Sequence, residues 1–146
     1  LAVASEGMKR VADFAAGRGV GLLVEPINRY ETSFIITASD CLEFLDIVGM
    51  PNCEVLLDTF HMNIEESDIA AAIRNTGARI GHVHIADSNR RYPGAGHIDF
   101  GMVVSALRDA GYDGWLSAEM LPDPDPETSI AAMVSHIRKI LNQSGC

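Results

Sequence analysis

The sequence contains few cysteines, and those it has are far apart. Cys41, Cys53 and Cys146 are the three cysteines of the 146-residue chain. They form no CxxC pair, so neither a zinc ribbon nor a disulfide framework is indicated. Reduced thiols are the expected state, which is typical of intracellular proteins, and we expect a cytoplasmic location.

Basic residues are also scarce. Eleven lysines and arginines stand against 20 aspartates and glutamates, and the net charge is −9. Proteins that bind the phosphate backbone of nucleic acids carry a basic face, so this composition argues against nucleic-acid binding. No apolar run has the length of a membrane span, and no stretch near the start resembles a secretory signal. We therefore expect neither nucleic acid nor a membrane as a partner.

The motifs of several common enzyme classes are missing. There is no GxGxxG or P-loop, so nucleotide binding has no support, and there is no GxSxG or Cys-centred nucleophile site. The chain does contain 47% hydrophobic residues, which is typical of a globular protein. Its length allows one sizeable core, and we expect a single domain spanning residues 1–146.

Short apolar runs alternate with amphipathic segments along the whole chain. The runs at residues 20–25, 55–58, 80–85 and 115–119 predict four strands buried on both faces. The segments before, between and after them predict helices. Strands that alternate with helices pair in parallel through right-handed crossovers, so the sequence predicts an α/β fold with a parallel sheet.

The predicted helices have recognisable faces and starting points. Thr37 or Ser39 is predicted to cap the second helix. Ser67 is predicted to begin the third helix, and Thr128 to cap the last. The first helix, at residues 1–16, is predicted to bury an apolar face made of Val3, Met8, Val11, Phe14 and Ala15.

Each predicted strand ends at, or within one residue of, a side chain that suits metal binding. Because functional groups gather at the carboxyl ends of parallel strands, we expect the four to converge. Three carboxylates and an imidazole need a cation between them, and oxygen and nitrogen donors suit Mn²⁺, Co²⁺, Mg²⁺ or Zn²⁺. For each residue alone the alternative is a helix cap or a loop ion pair. The four are Glu25, Asp58, His84 and Glu119.

Other side chains near the same strand ends could bind a substrate. His61 follows the second strand in a stretch expected to be a polar loop, and Arg90 and Glu31 lie in other loops. They could bind hydroxyl or carbonyl oxygens, although a surface histidine and surface ion pairs are the alternatives. His82 shares a face of its strand with His84 and is expected to be a hydrogen-bonded neighbour rather than a ligand.

Two metal-bound carboxylates that face each other across a substrate suggest proton transfer beside a carbonyl. One removes the proton, and the other returns one on the opposite face or to the next carbon. A metal that holds the carbonyl and a neighbouring hydroxyl of a ketose stabilises the enediolate. The residues therefore suggest a divalent-metal-dependent epimerase or isomerase of ketose sugars.

Four segments carry a resemblance to a known family. EPINRYE, LLDTFHMNIEE, HVHIADSNRR with PGAGHIDF, and LSAEM resemble the second half of the xylose-isomerase-like sugar isomerase/epimerase family. Within it they are most similar to the D-tagatose/D-psicose 3-epimerases. The resemblance runs over residues 20–120 and implies a (β/α)₈ barrel with one divalent metal, often Mn²⁺ or Co²⁺.

The resemblance also implies residue roles. Residues matching Glu25 and Glu119 are metal ligands and the acid/base pair, and those matching Asp58 and His84 complete the metal shell. The substrate oxygens are held by the residues matching Glu31, His61 and Arg90.

A whole barrel has eight βα units, whereas the sequence predicts four strands, matching the last four. We therefore expect a parallel half-barrel. Because the chain opens at Leu1 inside a predicted helix, we also expect it to be a piece of a longer protein. Four parallel strands leave two open edges, so we expect a homodimer or higher homo-oligomer, or a missing N-terminal half, to cover them.

Other functions remain open at this stage. A non-catalytic half-barrel could keep the metal ligands and self-associate. A metal-dependent endonuclease on a related barrel would need more histidine and aspartate ligands and a basic face, which the negative charge opposes. EPIN and HIADSN also suit hydroxypyruvate isomerase-like and sugar-phosphate epimerase proteins, so the sugar, phosphorylated or not, stays undefined.

Overall fold

The computed structural model describes residues 1–143 and contains one four-stranded sheet. Every neighbouring pair of strands is parallel, in the spatial order β1-β2-β3-β4. The predicted parallel α/β half-barrel is therefore confirmed. The strands are β1 (Leu22–Val24), β2 (Cys53–Asp58), β3 (Ile80–Ile85) and β4 (Leu116–Ala118).

Helices precede, connect and follow the strands. A short 3₁₀ helix at Gly77–Arg79 leads into β3. The second connection contains two helices, α3 and α4, and the others contain one each. The helices are α1 (Ala2–Ala16), α2 (Ala38–Val48), α3 (Thr59–Glu65), α4 (Ile69–Thr76), α5 (Phe100–Asp109) and α6 (Pro126–Gln143).

The register of the sheet brings the strand ends to one level. Asp58, the last residue of β2, lies opposite His84 of β3, and His84 lies opposite Ser117 of β4. Side chains two residues apart on a strand share a face, so the residues at these ends can point to the same side. The parallel pairing thus assembles one carboxyl-end edge from all four strands.

The two faces of the sheet have different surroundings. One face packs against the helices and forms the core, since Val55, Leu57, Val83 and Ile85 are all buried. Phe44, Ile73 and Phe100 cover this face from α2, α4 and α5. On the opposite face, Leu23 of β1 is 43% exposed. The side that would be the interior of a closed barrel is therefore open.

The stretch after β2 was predicted as a loop, and this prediction is wrong. Residues Thr59–Glu65 form α3, which begins directly after Asp58. The Asp58 side chain accepts a hydrogen bond from the Phe60 backbone N–H and caps the helix. A helix of seven residues is too short to show a helical period, so the sequence pattern does not reveal it. Strands β1 and β4 are also shorter than predicted. The last residue of each is directly followed by the glutamate that was predicted to end the strand.

The caps of three helices test the predicted starting points. Thr37 is the N-cap of α2 and forms a reciprocal capping box with Asp40, so the first of the two proposed caps is correct. Helix α4 begins after Asp68 rather than at Ser67. Before α6, Asp125 accepts a hydrogen bond from the Thr128 N–H, so Thr128 is not the cap.

The flanking helix α1 buries only part of the predicted face. Ala15 is buried and Met8 packs against the core, whereas Val3 is 91% and Phe14 is 60% exposed. The helix packs mainly on α2 and has no second neighbour of comparable contact among the described residues. Much of its apolar face is therefore exposed.

Two remaining sequence expectations concern thiols and membranes. Cys41 and Cys53 are buried free thiols, and Cys146 lies outside the described residues. Among residues 1–143, no helix combines the length and the apolar character needed to cross a bilayer.

The capping box gives a first testable prediction. Replacing Thr37 by Ala removes the side-chain oxygen that accepts the Asp40 N–H, and we expect a loss of about 1 kcal/mol in unfolding free energy by urea denaturation. Ser39, two residues further along, is exposed, so Ser39→Ala should change the unfolding free energy by no more than about 0.5 kcal/mol. Equal losses in both variants would contradict the assignment.

Candidate metal-binding active site

Four acidic or histidine side chains converge at the carboxyl edge of the sheet. Glu25 directly follows β1, Asp58 ends β2, and Glu119 directly follows β4. Together with His61 from α3, each offers one ligand atom, and these atoms all lie within 4.8 Å of one another. The strand-end carboxylates predicted from the sequence are therefore brought together.

His84 faces the same carboxylates from β3. Its Nδ1 lies 3.7 Å from Glu25 Oε1 and 3.8 Å from Glu119 Oε2. The compact four-atom set contains His61 instead of His84, so geometry alone offers two candidate histidines. Their hydrogen-bond partners distinguish them, because a ligand nitrogen must keep a free lone pair.

Unpaired buried atoms are concentrated at this site. Among residues 1–143, four buried side-chain polar atoms have no hydrogen-bond partner. Three of them are Glu25 Oε1, Asp58 Oδ2 and His84 Nδ1, and the fourth, Asn52 Oδ1, lies elsewhere. Buried polar groups are normally paired with a hydrogen-bond partner. Three unpaired atoms whose lone pairs surround one point therefore fit a bound cation. Oxygen and nitrogen ligands of this kind suit a hard or borderline divalent metal.

Burial raises the proton affinity of two of the carboxyl groups. The pKa of Glu25 is raised to about 7, mainly because the group is removed from water and secondly because Glu119 lies nearby. The pKa of Asp58 is raised to about 8, again mainly by burial. Collecting negative charge here is therefore unfavourable without a positive partner.

Glu119 behaves differently because it has positive neighbours. Burial alone would raise its pKa, but a hydrogen bond with Asp58 and the charges of His84 and Arg90 outweigh burial and lower it. The bond with Asp58 requires a hydrogen on one carboxyl group. When both are ionised, two acceptors face each other and Asp58 Oδ2 has no partner.

Arg90 links two of the acidic residues. Its guanidinium lies 3.3 Å from Glu119 Oε2 and 3.5 Å from Glu31 Oε1, and it also stacks over the Phe60 ring at 4.8 Å. The Arg90 backbone has a φ of 60°, which is unusual for a residue other than glycine. Glu31 and Arg90, both predicted to bind substrate, therefore lie beside the metal-ligand candidates.

His61 and Glu31 share a buried neighbour that the sequence analysis missed. The Asn28 side-chain amide lies 2.8 Å from His61 Nδ1 and donates a 2.8 Å hydrogen bond to Glu31 Oε1. Asn28 is 1% exposed. The EPIN motif contains this asparagine, but a polar residue in a predicted loop carries no signal that it will be buried.

Asp87 is a second missed residue, and it organises the loop that carries Arg90. It is fully buried, and it accepts hydrogen bonds from the backbone N–H groups of Ser88, Gly94 and Ile98. Burial alone would raise its pKa, but these bonds outweigh burial and lower it. The loop backbone is thus held by hydrogen bonds to the buried Asp87 carboxylate rather than by regular secondary structure.

Three further polar residues near the site have partners of their own. His82 contacts Ser117 through its ring Nε2, as expected for a hydrogen-bonded neighbour, and its ring lies 5.3 Å from that of His84. The exposed Arg29 forms an ion pair with Glu65, whose side chain is buried. His97 is exposed and contacts Ser88.

Comparison with known families agrees with this fold. The model of the xylose isomerase-like TIM barrel family matches residues 1–140. The chain belongs to this family. The resemblance inferred from EPINRYE, LLDTFHMNIEE and the other segments is thereby confirmed.

Two characterised relatives in this family are sugar epimerases. The chain is 42% identical over 124 residues to the L-ribulose 3-epimerase of Methylomonas sp. (strain DH-1), covering 84% of this chain and 43% of the relative. It is 45% identical over 109 residues to the D-psicose 3-epimerase of Agrobacterium fabrum, covering 75% and 38% respectively. The chain thus spans less than half the length of these relatives.

Solved structures of the family superpose closely on the chain. A D-psicose 3-epimerase crystallised in the presence of D-fructose aligns with a TM-score of 0.79 at 42% identity, covering 82% of this chain and 41% of that one. The 3-keto-D-glucoside 4-epimerase of E. coli aligns with a TM-score of 0.88 at 31% identity, covering 92% and 52%. The four-stranded unit corresponds to about half or less of the longer chain in both.

The buried charge of Asp58 gives a second prediction, for the metal-free protein. Unfolded, this group ionises near its ordinary pKa of 3.8, whereas in the fold it resists ionisation until about pH 8. The folded state binds more protons between these values, so this group reduces stability progressively as the pH rises through that window. Asp58→Asn keeps an oxygen for the Phe60 N–H but carries no charge.

We therefore expect Asp58→Asn to raise the melting temperature of the metal-free protein at pH 8 to 9 and to leave it nearly unchanged near pH 4. Asp68→Asn is the matched control, because Asp68 also caps a helix but is exposed. Asparagine and aspartate are equivalent caps, so this control should show no such pH dependence. A destabilised Asp58→Asn variant at pH 9 would show that the carboxylate is not under electrostatic strain.

Proposed function

We propose that this chain carries the metal and proton-transfer site of a sugar epimerase, with Glu25, Asp58, His84 and Glu119 as the metal ligands. The observation that carries this proposal is the convergence of unpaired buried lone pairs from three of these residues. Glu119 adds a carboxylate 3.8 Å from His84 Nδ1. Mn²⁺ or Co²⁺ is the favoured ion, and Mg²⁺ or Zn²⁺ would suit the same donors.

The chemistry follows from two carboxylates on opposite sides of a shared site. Glu25 and Glu119 come from the outermost strands, β1 and β4, so a substrate between them would meet one on each face. One takes the proton from the carbon beside the carbonyl, and the other returns a proton to the opposite face. A bound divalent ion would supply Lewis-acid stabilisation of the negative charge that develops during this transfer.

The remaining polar groups provide a binding surface for the sugar. Arg90 offers several N–H donors in a fixed plane, and Glu31 offers acceptors for hydroxyl groups. His61 is 3% exposed and would contribute one ring N–H donor. Relatives that act on ribulose and psicose support a ketose as the substrate class. A substrate panel that contains both free sugars and sugar phosphates distinguishes whether the sugar is phosphorylated.

The missing barrel wall makes a partner necessary for a closed pocket. Some of the exposed apolar residues lie at the two ends of the half-barrel. Val3 and Phe14 lie on α1 at one end, and Trp115, at the start of β4, is 83% exposed at the other. Between β4, α5 and α6 lies an apolar cavity of about 590 Å³ that Trp115, Leu116 and Ile137 help to line. These surfaces suit burial against four further strands.

The helix count indicates what that partner contains. Residues 1–143 contain three helical connections between the strands and two flanking helices, α1 and α6, which makes five helical units for four strands. A closed barrel has one helix per strand. A second copy of this chain would also carry one helix more than it has strands, so the closed ring would have too many helices. A unit with four strands and three helices would complete the ring. We therefore favour the chain as the C-terminal half of a barrel, with a complementary half, over a homodimer.

A second candidate function is metal binding without turnover. It is favoured by the short span of the chain, which covers 43% of the L-ribulose 3-epimerase and therefore lacks much of that relative's structure. In this case the ligands would hold an ion while the incomplete pocket would fail to position a sugar.

The choice between the two histidines gives a third prediction. We expect His84→Gln to lower Mn²⁺ affinity by about tenfold or more, measured by titration calorimetry on metal-free protein, because a ligand is lost. His61→Gln should keep an affinity close to that of the wild type. His97→Gln, which changes an exposed histidine, controls for the general effect of the substitution. A larger loss in His61→Gln than in His84→Gln would reverse the ligand assignment.

Turnover gives a fourth prediction. In the full barrel, with the complementary half present and Mn²⁺ or Co²⁺ bound, we expect interconversion of C3 epimers from a panel of fructose, psicose, tagatose, sorbose and ribulose, with the fructose and ribulose phosphates included. Glu119→Gln should reduce the rate by about 100-fold or more, since an acid/base group is lost. Glu127→Gln, on the exposed first turn of α6, should be fully active.

The outcomes separate the two candidate functions. Light scattering on the same samples would show whether the active species is one chain or an assembly. Metal bound at one site per chain, with no turnover of any sugar in the full barrel, would support the binding module and contradict the epimerase proposal. Turnover that is unaffected by chelation would contradict the metal site.

A further inference from the structure

Asn28 occupies a buried position between two of the residues proposed to hold the sugar. It lies in the loop after β1, and its side-chain nitrogen contacts Glu31 Oε1 and His61 Nδ1, each at 2.8 Å. Its side-chain oxygen accepts the Tyr30 backbone N–H at 3.0 Å. All hydrogen-bonding groups of the amide are therefore used, which is required of a polar group that is 1% exposed.

These contacts fix which way the amide points. The Tyr30 N–H is a donor, so the atom facing it must be the amide oxygen. Glu31 Oε1 accepts a hydrogen bond, so the atom facing it must be the amide nitrogen. Two independent partners thus agree on one orientation, in which Nδ2 directs one hydrogen at Glu31 and the other at His61.

The orientation of the amide determines the state of the His61 ring. Nδ1 of His61 faces the Asn28 Nδ2–H and, at 3.4 Å, the Asn28 backbone N–H. Both groups are donors, so Nδ1 must accept and cannot carry a hydrogen. A neutral imidazole with a bare Nδ1 has its hydrogen on Nε2.

We propose that Asn28 is a positioning residue that holds His61 as the neutral Nε2–H tautomer and so makes it a hydrogen-bond donor rather than a metal ligand. The role of that N–H towards a sugar oxygen rests on the proposed function. The tautomer itself follows from the contacts of this chain alone. His84 is the opposite case, because its Nδ1 meets carboxylates and has no hydrogen-bond partner.

The same amide couples His61 to Glu31. Because both Nδ2 hydrogens come from one planar group, the direction of the Glu31 carboxylate and the plane of the His61 ring are set together. Glu31 also contacts Arg90 at 3.5 Å, which extends the connection to the third proposed sugar-binding residue. One buried asparagine thus orients a donor and an acceptor on the same side of the site.

The test is nuclear magnetic resonance of ¹⁵N-labelled, metal-free protein at neutral pH. Long-range ¹H–¹⁵N correlation spectra distinguish a bare ring nitrogen from a protonated one, and the His61→Gln spectrum identifies the His61 signals. We expect a bare Nδ1 and a protonated Nε2. We also expect a ¹⁵N–¹⁵N coupling across the hydrogen bond from Asn28 Nδ2 to His61 Nδ1.

A charged isostere tests the role of Asn28 directly. Asn28→Asp replaces the Nδ2–H donor by a carboxylate oxygen, so we expect loss of the Nε2–H-only state and a hydrogen on Nδ1. Asn75→Asp makes the same charge change at an exposed position of α4 and should leave the His61 signals unchanged. Circular dichroism would verify that each variant is folded.

The outcomes are independent of metal binding and turnover. A hydrogen on Nδ1 in the wild-type protein would overturn the proposal. So would a bare Nδ1 that persists in folded Asn28→Asp, because another group would then set the tautomer. If Asn28→Asp fails to fold, the coupling in the wild-type protein decides: its presence supports the proposal and its absence contradicts it. A correct tautomer in a protein that turns over no sugar would leave this proposal standing and remove the proposed function.

Discussion

Repulsion among carboxylates at the ends of parallel strands is the constraint on which the site depends. Parallel pairing in register brings the strand ends together, so Glu25, Asp58 and Glu119 cannot avoid one another once the sheet forms. Burial strengthens the effect, because fewer water molecules remain to solvate the charges. Burial is the main cause of the raised pKa values of Glu25 and Asp58, and the neighbouring carboxylates raise them further.

The surrounding loops are built to maintain this unfavourable arrangement. Arg90 reaches Glu119 from a left-handed backbone position, and its loop is fixed by the buried carboxylate of Asp87 through three backbone N–H groups. Asn28 fixes the loop after β1 in the same way, with side-chain hydrogen bonds in place of the backbone hydrogen bonds of a sheet. Strained or buried polar groups are tolerated where neighbouring structure over-determines them, and they concentrate at functional sites.

The sequence allowed the strands and their terminal residues to be predicted for a simple reason. Buried parallel strands are short apolar runs, and a charged residue at the end of such a run is conspicuous. Asn28 and Asp87 could not be found in this way, since their burial depends on loop conformation that no local pattern encodes. The prediction for the α1 face was only partly right for another reason: Val3 and Phe14 have the correct spacing for a core face, but neither belongs to the core formed by residues 1–143, and the Phe14 ring is contacted by the Arg18 guanidinium.

Asp58 shows why two interpretations of one residue need not compete. From the sequence, a helix cap and a metal ligand were alternatives for this carboxylate. In the fold, Oδ1 accepts the Phe60 N–H at 2.8 Å while Oδ2 is buried without a partner at the centre of the site. The cap fixes the rotation of the side chain, and that rotation directs the second oxygen towards Glu25, Glu119 and His84. The helix that was missed, α3, is therefore part of the reason the ligand is positioned: its first turn holds one oxygen so that the other is available.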